Sequence, residues 1–346
     1  MEFAINILQA AMLAFLFSIK IYFISICILL TKSLCNPFFF FILNTNSVVM
    51  VFTYLFKDAR YFQIIFQCIF LVYGVWYLGW SADWSLYATY LGISIATQII
   101  FEIIFSWRKI KNYPSLNKIK AGIPSAIISS MGLCLLLKTN TLSTAALAAF
   151  ISIASKYIIR INGKHIFNPS ALGIVAAVVL TGNAWISPGQ WGSGAVILFA
   201  VLCLGCIITT RVQKLDTSLA FLGSFGSLLF IRQIIYLGWP MDFFIQSIST
   251  GSLLLFSFFM ITDPKTTPNH TTARIIWSVL VAVAAFYLTT FKFITTAPIW
   301  VLVGMQPLVP LLDKIFKANQ FTWKTSSSLS NEDIKYLDTI YKNISI

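Results

Sequence analysis

Residues 273–291 read ARIIWSVLVAVAAFYLTTF, with a single charge, Arg274, near the start. A helix needs roughly 20 predominantly apolar residues to cross the hydrocarbon core of a bilayer, so this stretch predicts one transmembrane span. Working outward, 295–313 follows beyond Lys292, and 244–262 precedes it across Asp263-Pro264. Toward the N-terminus the same reading gives 216–235, 194–210, 170–186, 141–160, 121–137, 85–106 and 61–80. The breaks carry turn chemistry: Trp80-Ser81-Ala82-Asp83, Lys138-Thr139-Asn140, Ser187-Pro188-Gly189, Gly238-Trp239-Pro240 and Asp263-Pro264. The expected fold is an all-α polytopic membrane bundle with ten core transmembrane helices.

Composition agrees with that class and excludes others. Of 346 residues, 58% are hydrophobic and 10% charged, and the mean hydropathy is +0.84. Soluble domains carry about a quarter charged residues, so a water-facing surface of this size is excluded. The formal net charge of +13 does not mark a nucleic-acid binder, because the basic residues are scattered through the loops between apolar runs. Six cysteines stand at 27, 35, 68, 134, 203 and 206. All but Cys35 lie in apolar runs, where a thiol behaves as a small hydrophobe. Cys203-Leu204-Gly205-Cys206 is a single C-x-x-C with no second pair to complete an iron–sulfur ligand set. No metal-ligand cluster, phosphate-binding glycine loop or nucleophile elbow is visible.

The charges test the division into spans. With the start of the first span placed in the cytoplasm, the cytoplasmic segments collect Lys57, Arg60, Arg108, Lys109, Lys111, Lys118, Lys120, Lys156, Arg160, Lys164, Arg211, Lys214, Lys265, Arg274, Lys314, Lys317, Lys324, Lys335 and Lys342. The opposite side collects only Lys138, Arg232 and Lys292. Basic residues are retained on the cytoplasmic side, so the parity points to a multi-pass membrane protein with a cytoplasmic C-terminus.

Three segments are expected: an N-terminal apolar segment 1–57, a transmembrane domain 58–317 and a polar cytoplasmic tail 318–346. The first segment reads either as two extra spans or as a mis-called start upstream of Met50. Its monotonous Ile, Phe and Leu content, with few small residues for helix packing, favours the second. A weak internal symmetry, in the segments ending at Lys138-Thr139-Asn140 and at Thr262-Asp263-Pro264, fits two halves of five spans.

Two junctions on the cytoplasmic side hold the candidate site. One is Asn162-Gly163-Lys164-His165-Ile166-Phe167-Asn168-Pro169-Ser170-Ala171-Leu172-Gly173, and the other is Phe258-Phe259-Met260-Ile261-Thr262-Asp263-Pro264-Lys265-Thr266-Thr267-Pro268. Each sets a polar residue directly before a proline, which forces its predecessor out of helical geometry. Asn168 offers donors and an acceptor, whereas Asp263 only accepts. Together they could grip the polar edge of a planar ring such as a flavin, or they could simply cap helices. Arg274 reads equally as a phosphate or headgroup contact and as a membrane-surface anchor. His165 and His270 sit in basic loops without metal-binding partners. Glu102 is the one carboxylate inside a predicted span, near its cytoplasmic end, so no mid-membrane acid relay of the kind an ion pump needs is visible.

The runs Phe167-Asn168-Pro169-Ser170-Ala171-Leu172-Gly173, Trp185-Ile186-Ser187-Pro188, Phe258-Phe259-Met260-Ile261-Thr262-Asp263-Pro264 and Pro307-Leu308-Val309-Pro310-Leu311-Leu312-Asp313 occur in that order. Over about residues 58–315 the chain resembles the NqrB/RnfD family, membrane components of the sodium-pumping NADH:quinone oxidoreductase and of the Rnf electron-transport complex. The resemblance implies ten helices as two inverted five-helix repeats, an inner-membrane location and flavin cofactors. One of these is a flavin mononucleotide (FMN) esterified to a threonine on the extracytoplasmic side, and another is a non-covalent riboflavin. It also implies partner electron-transport subunits or quinone.

The chain departs from that family where the covalent flavin would attach. The short connection 183–194 leads into Ser193-Gly194-Ala195-Val196, and Val196 has no hydroxyl. Thr250-Gly251-Ser252-Leu253 is a second near-miss. The short loop Trp185–Gly192 is similar to that of stand-alone members, some of which accompany enediyne biosynthesis genes; read without the resemblance, it is an interfacial turn with two Trp anchors. The sequence therefore predicts a flavin-dependent electron-transport subunit that holds riboflavin or FMN non-covalently through Phe167, Asn168, Thr262, Asp263 and Arg274. Covalent FMN is not expected, and membrane lipid is the surrounding partner. The alternative is an inverted-repeat transporter or carrier without redox activity.

Overall fold

The computed structural model describes residues 59–110, 116–187, 191, 205–206, 209 and 212–321. The expected N-terminal segment 1–57, the polar tail from 322 onward, most of the stretch 194–210 and the Ser193–Val196 run lie outside the described residues.

Among the described residues, helices form at the expected apolar stretches. They are α1 Ala59–Trp76, α2 Trp84–Ile110, α3 Leu116–Leu136, α4 Leu142–Ile158 and α5 Pro169–Thr181, then α6 Leu215–Phe230, α7 Met241–Ile248, α8 Gly251–Leu255, α9 Thr271–Phe291, α10 Ala297–Met305 and α11 Val309–Ile315. Two helices extend through π-helical turns, α6 by Ile231–Tyr236 and α8 by Phe256–Met260; a 3₁₀ turn, Gln306–Leu308, joins α10 to α11. Among the described residues five helices are long and apolar enough to cross a membrane. A sixth is the pair α7 and α8–Met260, bent by 46° at its break, and 60–76, 142–158 and 169–181 are shorter apolar helices. The chain is thus a helical, multi-pass membrane bundle.

Local chemistry sets the helix starts. The Asp83 carboxylate accepts from the amides of Ser85 and Leu86, Thr141 accepts from Thr144 N, Asn168 from Ala171 N and His270 Nδ1 from Thr272 N. Each satisfies an amide that the first turn leaves orphaned. α5 ends at Gly182, whose φ of 61° is the left-handed cap that glycine adopts without a Cβ penalty.

Among the described helices one packing pattern recurs: α2 lies on α4 and α4 on α5, and likewise α6 lies on α9 and α9 on α10. Small residues make these contacts. α4 buries Ala145, Ala148, Ala149 and Ser152, and a Cβ built on Gly173 would sit 2.7 Å from Ala148 O. Where lipid offers no hydrophobic drive between helices, such close approach is what holds them together. Other large apolar side chains, Val179, Leu180 and Ile235 among them, are exposed on the outside of the bundle.

The bundle has two unlike ends. At one, short strands β1 Leu137–Thr139 and β4 Ala184–Ile186 pair antiparallel, a detail that helical periodicity could not reveal. Trp80 meets Trp191 edge-on, with centroids 4.7 Å apart. The outermost rings, Trp76, Tyr77, Trp84, Tyr236 and Phe293, are exposed as in an interfacial aromatic belt. Two of the few basic residues here rest on rings: Lys138 on Trp80 and Arg232 on Tyr236 and Phe291. The other end gathers the charged loops.

Candidate functional site at the charged end

Past α4 the chain makes a small hairpin. β2 Arg160–Ile161 pairs with β3 Lys164–His165, Arg160 lying opposite His165. The linking residues Asn162 and Gly163 both have positive φ, 52° and 78°. Both are required by a type I′ turn, which Asn-Gly favours because glycine carries no Cβ. Opposed residues share a face, so Arg160 and His165 project together while Lys164 takes the other side.

The two proline-broken turns meet at this end. Asn168 Nδ2 donates to Met260 O at 3.1 Å, Asn168 Oδ1 caps α5, and Asn168 N donates to Gln306 Oε1 at 3.0 Å. Thr262 Oγ1 donates back to Phe258 O at 2.6 Å. Asp263 holds its own turn: Oδ1 accepts from Lys265 N at 3.0 Å, and its carbonyl accepts from the amides of Thr266 and Thr267. Arg274, buried on α9, donates to Asp216 Oδ2 through Nε at 2.8 Å and forms an ion pair with it, Nη2 lying 2.7 Å from Oδ2. Its Nη1 reaches Asn269 O at 2.7 Å.

The expected site residues thus share one end of the bundle but differ in what they leave available. The polar groups of Asn168, Thr262 and Arg274 are taken up by protein partners. Arg274 is paired with Asp216 rather than held out as a surface anchor or a free phosphate contact. Phe167 and Asp263 stay partly open. Thr250 sits at the α7–α8 break and donates to Ser247 O. Cys206 is described and Cys203 is not.

Charges around Asp263 extend beyond the expected set. Lys156, in the last turn of α4, is buried and donates to Ser125 Oγ at 3.0 Å and to Gln98 Oε1 at 3.4 Å. Gln98 Nε2 reaches Tyr157 OH at 2.5 Å, and Tyr157 OH donates to Glu102 Oε2 at 2.8 Å. Arg160 Nε donates to Lys156 O, and its guanidinium lies 5.0 Å from the centre of the Tyr157 ring. Lys164 Nζ binds Asp313 Oδ2 at 3.0 Å and Thr267 O, and Lys265 Nζ binds Phe321 O at 2.8 Å.

Burial and these neighbours set the protonation states. Burial first, then the fields of Lys156, Arg160, Lys265 and Lys164, push His165 down to about 3, so its ring is neutral at ordinary pH. Burial raises Asp263, against the opposing pull of the Lys265 amide and of Lys156, Lys164 and Lys265. Burial lowers Lys164 and Lys265. Lys214, whose Nζ reaches Pro268 O at 3.3 Å, is pushed down to about 7 by burial and then by Arg274 and Lys164.

Around this turn the fields of Lys156, Lys164 and Lys265 act on Asp263, Arg160 joins them on His165, and Asp313 is bound to Lys164. The donor set suits an anionic or carbonyl-bearing ligand. It presents no activated nucleophile, and among the described residues no group of three His, Cys, Asp or Glu could hold a metal.

Sequence reasoning did not find Lys156 with Gln98 and Ser125, nor Gln306. The hairpin did carry a signal, the Asn162-Gly163 pair.

Residues 178–322 match the NQR2, RnfD, RnfE family. The matched region begins within α5 and runs past α11, so it holds the Asp263 turn, Arg274 and Asp313 while the Asn168 turn lies just before it. The chain resembles that family over this part of its length. No curated protein matches the chain.

Proposed function

We propose that the chain is a membrane subunit of a flavin-dependent electron-transport system, holding a flavin non-covalently at the charged end. The observation that carries this reading is the junction of the two proline-broken turns through Asn168 and Met260, beside a cation excess around Asp263. Phe167 and Asp263 face the ligand. Asn168, Thr262 and Arg274 hold the turns in place around it. When bound, the flavin supplies the electron-transfer chemistry, and the protein supplies position, hydrogen bonds and field. Lysines favour electron-rich carbonyl and ring-nitrogen groups, and the neutral His165 ring can donate or accept a hydrogen bond.

The charged end faces the cytoplasm of a bacterial inner membrane, following the distribution of basic residues. The C-terminal tail lies on the same side. With Val196 at the expected attachment position, no flavin is joined to the chain by a phosphoester. Electrons pass to or from partner subunits or quinone, and lipid covers the outward apolar faces.

A second reading, a solute carrier on the same repeat frame, is favoured by one feature: the span broken by 46° between α7 and α8, a device transporters use to line binding sites. The absorption spectrum of detergent-purified protein separates the two readings. Flavin bands that fade in Asp263→Ala support the first. A colourless protein whose vesicles take up solute supports the second and overturns the first.

A further inference from the structure

Resting on the flavin reading above, we infer that the charged end contains a phosphate site, so that the flavin held there is the phosphorylated form. Four cations, Lys156, Arg160, Lys164 and Lys265, act on His165, and three of them, Lys156, Lys164 and Lys265, act on Asp263. Among the described residues two carboxylates accompany them, Asp263 and Asp313, and Asp313 is bound to Lys164 at 3.0 Å. Among the described residues two of these positive charges therefore lack a carboxylate, and a phosphomonoester carries about −1.5 to −2 at neutral pH.

Geometry adds to the charge balance. Lys156 is buried beneath the turn, and both hydrogen-bond partners given above, Ser125 and Gln98, are neutral. A buried cation so placed gains from an anion beside it. Arg160 is fixed at one nitrogen by Lys156 O and stacked on Tyr157, while the terminal guanidinium nitrogens project from an exposed residue. A planar fork held at its base matches phosphate oxygens better than a free lysine does. The type I′ turn locks this hairpin, so little ordering is left to be done on binding.

Fluorescence titrations of full-length, flavin-depleted protein in detergent with FMN and with riboflavin test the inference. FMN should bind about tenfold or more tightly than riboflavin, the scale of an added charge-assisted contact. Arg160→Gln and Lys265→Gln should each weaken FMN binding more than riboflavin binding, and so erode that preference. On the unaltered protein, inorganic phosphate should weaken FMN binding more than chloride of equal ionic strength. Equal affinity for the two flavins, or no effect of phosphate, overturns the phosphate site and leaves the flavin reading standing. Binding of neither flavin overturns both.

Discussion

Asn168 Nδ2 donates to the carbonyl oxygen of Met260 across 3.1 Å, joining positions 92 residues apart. Met260 closes a π-helical turn, and the residue after Asn168 is proline. Both backbones are irregular at this point, and such backbone survives at membrane depth only where protein partners satisfy its polar groups. One carboxamide satisfies two of them, the Met260 carbonyl and the Ala171 amide.

Removing that carboxamide should therefore cost more than a helix cap. Asn168→Ala should lower stability by about 2–3 kcal/mol, a cap plus an unpaired buried carbonyl. Asn168→Asp is the sharper test. It keeps the cap and suits the helix dipole, but it sets an acceptor against Met260 O. Thermal unfolding in detergent should place both variants below the parent. An unharmed Asn168→Asp protein would reduce Asn168 to a cap.

The pair Arg274–Asp216 ties the start of α9 to the start of α6. Asp216→Asn leaves a buried guanidinium short of its counter-ion, and Arg274→Gln does the converse. Each single change should destabilise, and the double variant should lose less than the sum. The coupling should be about 1–3 kcal/mol. Additive losses would show that the two side chains act independently.

His165 gives a pH dependence with a definite sign. The folded chain holds it at about 3, against an ordinary value of 6.5. Between those values the unfolded chain binds a proton at this ring and the folded chain does not. Stability therefore falls as pH drops through that window and is retained above 6.5. His165→Asn should flatten the acid limb of a plot of melting temperature against pH between about 6.5 and about 4. An unchanged limb would place the acid sensitivity elsewhere.

Sidedness is open to chemical labelling. In a background without reactive cysteines, Asn162→Cys and Lys265→Cys should react with a membrane-impermeant maleimide from the same face. Trp239→Cys and Phe293→Cys should react from the other. Labelling of 162 and 265 from opposite faces would dissolve the shared site.

Much of this architecture was legible in the sequence because transmembrane helices are set by length and apolarity, which are local properties. The stretch 273–291 became α9 with a shift of two residues at its start. The joining of the two proline turns at one end was also legible, through the parity of basic residues. The partners of individual side chains were not. Nothing near Gln306 announces that its side chain accepts from an amide 138 residues earlier, because such a bond exists only once the fifth helices of the two halves meet. Lys156 looked like one more orientation charge, and its burial against Gln98 and Ser125 depends on how α2, α3 and α4 pack. The π-helical turns at 231–236 and 256–260 lack a sequence signature altogether. The basic hairpin did have one, in Asn162-Gly163.

The central claim is a flavin held without a covalent bond. Acid or heat denaturation of the detergent-purified protein, followed by filtration and fluorescence of the filtrate, measures it directly. The expected result is near-stoichiometric flavin in the filtrate and a non-fluorescent polypeptide band on a denaturing gel. A filtrate without flavin, or a fluorescent band that stays with the chain, would contradict it.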